Sequence, residues 1–250
     1  MITKGSLGDR MKSYEAVHDR RMLPGVPHIV RLDMVAGHTF TKNMDKPYDV
    51  LFHECMNEAT LSLLRNVPNA RLAYTQSDEI TLVLNDATIN DNYAPFYSNR
   101  VSKIESIMAS RCTNAFITRY LIGFMDDVEY DDAKYPDVMK VAFDARAFDV
   151  PNVVEAYNCL LWRQQDAKRN AWQALGHAVF NHDEIQGMSN GDLMAMLENS
   201  GVDFSVFPDD YWKGTVYLKD VQNDIITTHD ITYDEVMYAY DYGMGREGDD

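Results

Sequence analysis

The order of strand-like and helix-like segments is the feature that most limits the fold of this chain. A short apolar run, HIVRLD (His28 to Asp33), reads as a strand, and from Asp49 the apolar residues recur at helical spacing. Two β-rich runs follow, ARLAY (Ala70 to Tyr74) and EITLVL (Glu79 to Leu84), and the four residues between them suit a hairpin. We therefore expect these two runs to pair antiparallel.

A second helix is predicted from about Ser98 to Tyr120, and VMKVAFDARAF (Val138 to Phe148) supplies a fourth strand. The order is then βαββαβ, which describes a ferredoxin-like unit: an antiparallel sheet with both helices on one face. Polymerase palms share this topology. We predict an α+β protein whose residues 1–150 form a palm-like catalytic core.

The remaining residues, 151–250, are predicted to form a helical and mixed extension packed on the same domain, with an acidic tail. Helices are expected at about Asn152 to Leu175, ending at Gly176, and at about Asn190 to Asn199 behind the capping residue Ser189. The C-terminal third carries weaker signals.

Composition excludes several classes of protein. A chain of 250 residues with 46% hydrophobic residues can bury a full core, and no window approaches the roughly 18 unbroken apolar residues of a membrane span. Its start lacks the apolar segment of a signal peptide, so we expect a cytoplasmic protein. The three cysteines, Cys55, Cys112 and Cys159, have no metal-binding spacing, which favours buried free thiols over zinc.

The formal net charge of −16 is unusual for a nucleic-acid-binding protein, because such binding relies on Lys and Arg at phosphates. Much of the excess lies in two runs, Met125 to Asp132 and Gly245 to Asp250, which read as a solvated loop and a frayed tail. Basic residues elsewhere are therefore judged by their own placement.

Two carboxylates are expected to converge in this topology. Asp33 ends the first strand and Asp78 lies in the hairpin connection, and these strands are neighbours in a split βαβ sheet. Carboxylates held together repel unless a cation lies between them, and their oxygens suit magnesium. Glu79 points to the other face and is a supporting acid, while Ser77 and Gln76 supply hydrogen bonds at the mouth of the site. An ordinary polar turn would have the same residues, so the pattern is compatible with a metal site and with a turn that has no such role.

Basic residues occur in two helical segments. Arg100 and Lys103 share a face near the start of the second predicted helix, where a triphosphate could bind. In LLWRQQDAKRN (Leu160 to Asn170), Arg163, Asp166 and Asn170 share a stripe beside Trp162, which suits bases and phosphates but equally suits a solvated helix face.

Taken together, the ordered blocks resemble the tRNA-histidine guanylyltransferase family and its bacterial, archaeal and phage-like relatives, the 3′-to-5′ polymerases. The blocks are LGDRMKSYE, RLDMVAGHTFTK, DKPYD, YTQSDEITLVL, NRVSKIESIMAS, FDARAF, LLWRQQDAKRN and YWKGTVYLK. The resemblance implies that a tRNA 5′-monophosphate is activated with ATP or GTP and then attacked by the 3′-hydroxyl of an incoming nucleotide. It further implies two magnesium ions and a homotetramer.

The resemblance also implies roles for individual residues. Asp33 and Asp78 match magnesium-binding acids, and the backbone carbonyl of Met34 matches a further ligand; with Glu79, the two acids form the expected catalytic set. The residues matching positions near the nucleotide and its triphosphate are His38, Lys46, Asp49, Ser77, Arg100 and Lys103. Those matching segments near nucleotide or tRNA are Arg146, Arg163, Lys168, Asn170 and Lys213.

Two departures from the family pattern matter. Met34 stands where the family has Gly, so its backbone is either ordinary or strained at the metal site. Lys168 and Arg169 stand where eukaryotic members carry a His-Ile-Asn-Asn run, which favours the prokaryotic-type repair branch. We therefore expect templated repair of tRNA 5′ ends; the alternatives are addition of the extra guanylate to tRNA-histidine, or a palm that binds nucleotide or tRNA without catalysis.

Overall fold

The computed structural model describes residues 6–85, 95–126, 136–220, 222 and 224–242. Within these ranges the strands are β1 (His28–Met34), β2 (Ala70–Gln76), β3 (Glu79–Leu84), β4 (Phe143–Asp149), β5 (Thr215–Lys219) and β6 (Ile225–Thr228). The helices are α1 (Leu7–Ala16), α2 (Gly37–Phe40), α3 (Val50–Asn66), α4 (Val101–Asp126), α5 (Val153–Val179), α6 (His182–Ile185), α7 (Asn190–Asn199), α8 (Asp209–Lys213) and α9 (Tyr233–Tyr242).

The six strands form one antiparallel sheet in the order β4-β1-β3-β2-β5-β6. The first four strands and helices α3 and α4 follow the βαββαβ order expected from the sequence. The α+β class and the antiparallel sheet are therefore confirmed. Strands β5 and β6 extend the same sheet beyond β2, so the sheet crosses the proposed boundary at residue 150.

Both faces of the sheet are covered, whereas the prediction placed helices on one face. Alternation along β1 sends Val30 and Leu32 into a core shared with α3 and α4, as predicted. Ile29 on the opposite face packs in a second core with Leu160 of α5 and Val236 of α9. The prediction missed this second layer because the helices that cover this face, α5 and α9, come from the C-terminal extension.

Several element ends differ from the predictions for local reasons. The hairpin turn is two residues long, since β2 continues to Gln76 and Ser77 adopts a left-handed φ of 51°. The fourth strand starts at Phe143, because Val138–Lys140 forms a 3-10 turn behind the capping residue Asp137. The helix predicted from Ser98 begins at Val101 instead.

Gly176 does not end α5, which continues to Val179. A Cβ at this glycine would lie 2.8 Å from Cδ1 of Leu193 on α7, so Gly176 allows two helices to pack closely. Leu193 belongs to a third, smaller core at the far end of α5, together with Trp172 and Trp212. This core holds α7 and α8 beside the sheet.

The cysteines are free, as predicted; Cys55 and Cys112 are buried and Cys159 is partly buried. In the described ranges, none of the helices combines the length and apolar character needed to cross a membrane. The predicted acidic loop falls mostly, and the acidic tail wholly, outside the described residues.

Candidate active site

The end of β1 and the β2–β3 turn bring Asp33 and Asp78 together. Asp33 is the penultimate residue of β1 and pairs with Glu79, the first residue of β3. Asp78 precedes Glu79 in the turn, and its carbonyl oxygen accepts a hydrogen bond of 3.1 Å from the backbone N–H of Met34. The two acids therefore lie on adjacent strand ends, as the topology predicted.

A glycine shapes the surroundings of Asp78. Gly37 begins α2, and its backbone lies against the Asp78 carboxylate. A Cβ at this position would lie 2.9 Å from Cγ of Asp78 and closer still to Oδ2. Only glycine leaves room for the carboxylate, so Gly37 helps to fix where Asp78 points.

The environment raises the pKa of both acids. For Asp33, the causes are burial first and then repulsion by Asp78, Glu79 and Asp144, with Arg146 opposing them. Burial also raises the pKa of Asp78, against a hydrogen bond from the Ser77 side chain. Both carboxylates would thus gain from a nearby positive charge.

The donor set fits magnesium. In the described part of the chain, no Lys or Arg forms an ion pair with Asp33 or Asp78, and no group of three or more His, Cys, Asp or Glu side chains could hold a metal. Magnesium is commonly held by one or two carboxylates, with water and substrate phosphates completing its shell. Asp33, Asp78 and the Met34 carbonyl are suitable for such a site, which stays a prediction.

Met34 has an ordinary backbone. It is not among the described non-glycine residues with positive φ, and its side chain is buried at 4% exposure in the core with α3 and α4. Of the two alternatives for this position, an unstrained backbone is therefore the one observed. Met34 therefore contributes a core side chain, which a glycine at this position would not.

We expect Met34→Gly to change turnover by less than about tenfold, or roughly 1.4 kcal/mol in barrier, because the backbone is already unstrained. The substitution should lower the free energy of unfolding by roughly 3 kcal/mol through loss of a buried side chain. Turnover and urea denaturation separate the two effects. If the wild type is inactive and Met34→Gly has activity, the binding-only alternative is supported instead.

Glu79 is held between two arginines. Its carboxylate accepts hydrogen bonds of 2.6 and 2.8 Å from Nε and Nη2 of Arg163, and one of 2.8 Å from Nη2 of Arg31. Asp166 lies 3.0 Å from Arg163 and also pairs with Arg169. The prediction that Glu79 points to the other face is wrong: as the direct strand partner of Asp33, it lies on the same face of the sheet. Both oxygens of Glu79 already have partners, so its role as a supporting acid stays a prediction.

A pocket opens next to the hairpin turn. It contains about 840 Å³ of empty space, part of it continuous with solvent, and lies between the segment after α2, the turn, α5 and α8. Five of the predicted residues line it: Lys46, Asp49, Gln76, Ser77 and Asn170. Tyr48 and Tyr211 supply aromatic walls, with ring centroids 6.0 Å apart.

Two of these pocket residues also have local structural roles. Asp49 caps α3 by accepting a 2.9 Å hydrogen bond from the N–H of Phe52. Lys46 donates from Nζ to the carbonyl of Thr41 at 2.8 Å. His38, exposed on α2, lies outside the pocket lining, and its charge acts to lower the pKa of Asp78.

Arg100 and Lys103 lie far from the acids in this chain. Glu105 of α4 accepts from the N–H of Ala147, and Arg100 pairs with Asp19 at 2.7 Å. Since β4 runs antiparallel to β1, this part of α4 lies near the His28 end of β1. That end is about 16 Å from Asp33 along the strand, so a single chain does not bring these two residues to the carboxylates.

The residues predicted from segments near nucleotide or tRNA occupy different parts of the structure. Arg146 is exposed on β4, 3.8 Å from Asp144 and on the same face as Asp33. Arg163 belongs to the cluster around Glu79 described above. Lys168 and Asn170 are exposed on α5, and Lys213 pairs with Asp230 at 3.0 Å.

Sequence reasoning missed one cluster at the pocket. Oδ2 of Asp210, near the start of α8, lies 2.6 Å from Nε2 of His53 and 3.5 Å from the hydroxyl oxygen of Tyr48. Its neighbours hold the pKa of Asp210 below its usual range despite burial. The letters PDDYWKG carry no periodic signal for this contact, which joins residues more than 150 positions apart.

The comparisons with known proteins agree with this architecture. The family model described as Thg1, tRNAHis guanylyltransferase, matches residues 8–151. An uncharacterized protein of Acanthamoeba polyphaga mimivirus is 31% identical, over 91% of this chain and 84% of its own length. The tRNA(His) guanylyltransferase of Schizosaccharomyces pombe is 27% identical, over 84% and 79% respectively.

Solved structures give the same result. A bacterial tRNA(His) guanylyltransferase (Thg1)-like protein in complex with ATP superposes with a TM-score of 0.79 at 29% identity, covering 91% of this chain and 94% of that one. A bacterial Thg1-like protein in complex with GTP gives 0.71 at 26% identity, covering 94% and 100%. The fold and the matching relatives together identify the class of the protein as nucleotidyltransferase. The chain belongs to the tRNAHis guanylyltransferase family.

Proposed function

We propose that this protein is a nucleotidyltransferase that adds nucleotides to the 5′ end of tRNA, after activating the 5′ phosphate with ATP or GTP. The observation that carries the proposal is the placement of Asp33 and Asp78 on adjacent strand ends, directly beside a pocket of nucleoside size. The ATP and GTP complexes of the bacterial structures support the same use of the fold. The core is then a polymerase-like palm.

The pocket binds the nucleoside part of the triphosphate. Its aromatic walls, Tyr48 and Tyr211, suit the faces of a base, and Ser77 lies at the turn that leads to Asp78. Lys46, exposed at the rim, supplies positive charge for the phosphates. A triphosphate bound in this way extends from the pocket toward the two acids.

The acids position the reacting phosphate. When bound by Asp33, Asp78 and the Met34 carbonyl, magnesium supplies positive charge that stabilises phosphoryl oxygens and acidifies a hydroxyl. The chain itself holds the two carboxylates in place, through the Met34–Asp78 backbone hydrogen bond and the absence of a side chain at Gly37. Arg146, on the same face as Asp33, offers charge to an RNA phosphate.

Two substrate choices remain within this reaction. The names of the family and of the yeast relative favour addition of a guanylate to tRNA-histidine over the repair reaction that the sequence suggested. Templated repair is favoured by one feature of the chain: Lys168 is exposed on α5, at the place where the resemblance puts the His-Ile-Asn-Asn run of eukaryotic members. A lysine there holds phosphate without reading sequence. A cytoplasmic homotetramer stays part of this proposal.

We expect an incorporation assay to separate the two. Two tRNA transcripts lacking the first 5′ nucleotide, and differing only in the base that faces the gap, are incubated with magnesium and each labelled nucleotide. Repair predicts that the incorporated nucleotide changes with the facing base, because pairing selects it. Guanylate added to both alike, and only to tRNA-histidine, would establish the other choice. Absence of incorporation into any tRNA would contradict the proposal as a whole.

A further inference from the structure

A half-exposed tryptophan lies on the same side of the sheet as Asp33. Trp162, on α5, is 52% exposed, although most large aromatic side chains in the described residues are packed in the cores. The Cζ atom of Arg163 lies 4.6 Å from the centroid of its ring, and that of Arg31 lies 5.3 Å away. Both distances are within the range of cation–π attraction.

The two guanidinium groups approach the indole from the side of the sheet. Both donate to the same oxygen of Glu79, Oε2, at 2.8 Å. Groups that share one carboxylate oxygen are neighbours, so the ring does not lie between them. It follows that the exposed part of the indole is the face turned away from the arginines.

The ring is also held in a fixed position. The side chains of Arg31 and Arg163 are only 18% and 12% exposed, and the Glu79 carboxylate locks them together. A ring that is already immobile loses little freedom when a flat ligand stacks on it, so binding is favoured. The base of a nucleotide is such a ligand.

The position of the ring indicates which nucleotide can stack on it. Arg31 and Asp33 are two residues apart on the same face of β1, about 6.6 Å along the strand. A single nucleotide can span the gap between a base on Trp162 and a 5′ phosphate near Asp33. Trp162 does not line the pocket proposed for the nucleoside, and the ion-paired residues Arg163, Asp166 and Arg169 follow it on the same helix, unlike the apolar core of a protein interface.

We propose that the exposed face of Trp162 is the stacking platform for the base of the 5′-terminal nucleotide of the tRNA acceptor. Stacking there sets the distance between that base and Asp33, and so positions the phosphate that reacts. This inference rests on the proposed function and adds to it a binding site for the acceptor end. Glu79 acts through Arg31 and Arg163 as a positioning residue for the ring.

The test compares two tRNA transcripts that carry a fluorophore in the anticodon loop. One has a complete 5′-terminal nucleotide, and the other has the same nucleotide without its base. We expect Trp162→Ala to raise the Kd of the complete transcript about tenfold and to leave that of the abasic transcript unchanged, measured by fluorescence anisotropy. Trp162→Phe should keep most of the affinity. Val154→Ala, at a 43% exposed apolar residue of the same helix, is the control and should change neither value.

Other outcomes overturn the inference. An equal loss of affinity for both transcripts, or no loss for either, means that Trp162 does not stack on the terminal base. A change in the oligomeric state of Trp162→Ala, with an unchanged Kd, assigns the ring to a contact between copies instead. If the wild type neither binds nor extends either transcript, the proposed function itself fails. If the wild type and Trp162→Ala bind equally well, only the stacking inference fails.

Discussion

Asp78→Asn should reduce nucleotide addition by about a thousandfold, or roughly 4 kcal/mol in barrier, while the fold is retained. The amide has the shape of the carboxylate but no charge, so it is a poor ligand for magnesium. Because burial raises the pKa of Asp78, its ionised form costs the folded state free energy at neutral pH, and a neutral amide removes that cost. Incorporation of labelled nucleotide and the melting temperature measure the two effects.

Asp144→Asn is the matched control for this substitution. Asp144 lies opposite Asp33 on β4 and also raises its pKa, but it is exposed and outside the predicted metal ligands. We expect less than a tenfold loss. Magnesium should raise the melting temperature of the wild type and of Asp144→Asn but not of Asp78→Asn. Near-wild-type turnover in purified Asp78→Asn would falsify the ligand assignment.

Gly37→Ala should reduce turnover by about a hundredfold without unfolding the protein. The new Cβ would occupy the space of the Asp78 carboxylate, which must rotate away from its position beside Asp33. Displacements of about 1 Å at a reacting centre can cost a factor of this size. Gly37 does not have positive φ, and alanine favours a helix, so the backbone itself tolerates the change.

Two comparisons make this prediction specific. Gly191→Ala, on α7, introduces a Cβ whose nearest neighbour is Ser189 Oγ at 3.8 Å, and should leave turnover unchanged. In an Asp78→Asn background, Gly37→Ala should add little further loss, because both changes act on the same carboxylate. Independent, additive losses would show that Gly37 matters for a reason other than the position of Asp78.

The central part of the fold could be predicted because its signals are local. Alternating apolar residues in HIVRLD and helical spacing after Asp49 define elements without knowledge of the rest of the chain. The convergence of Asp33 and Asp78 then follows from topology. The five helices and strands of the described C-terminal part that sequence reasoning missed (α6, α8, β5, β6 and α9) are short, and tertiary contacts decide their structure.

Other parts of the site depend on distant contacts that no local pattern encodes. The role of Glu79 follows from Arg163, which lies 84 positions away in the chain. Gly176 looks like a helix end in sequence, yet it is a packing residue because Leu193 comes from another helix. Arg100 and Lys103 were predicted to share a helix face, but Arg100 has an extended backbone just before α4. The direction of α4 also places both residues at the opposite end of β1 from the carboxylates.

The strand order has a consequence for synthesis on the ribosome. Strand β2 lies at the edge of the sheet until β5, residues 215–219, pairs with it. An unpaired edge can recruit strands from other chains, and folding domains emerge at roughly 5–20 residues per second. About 140 residues separate the end of β2 from β5, so this edge stays open for several seconds or longer on each nascent chain. That interval is when aggregation or chaperone capture competes with native pairing.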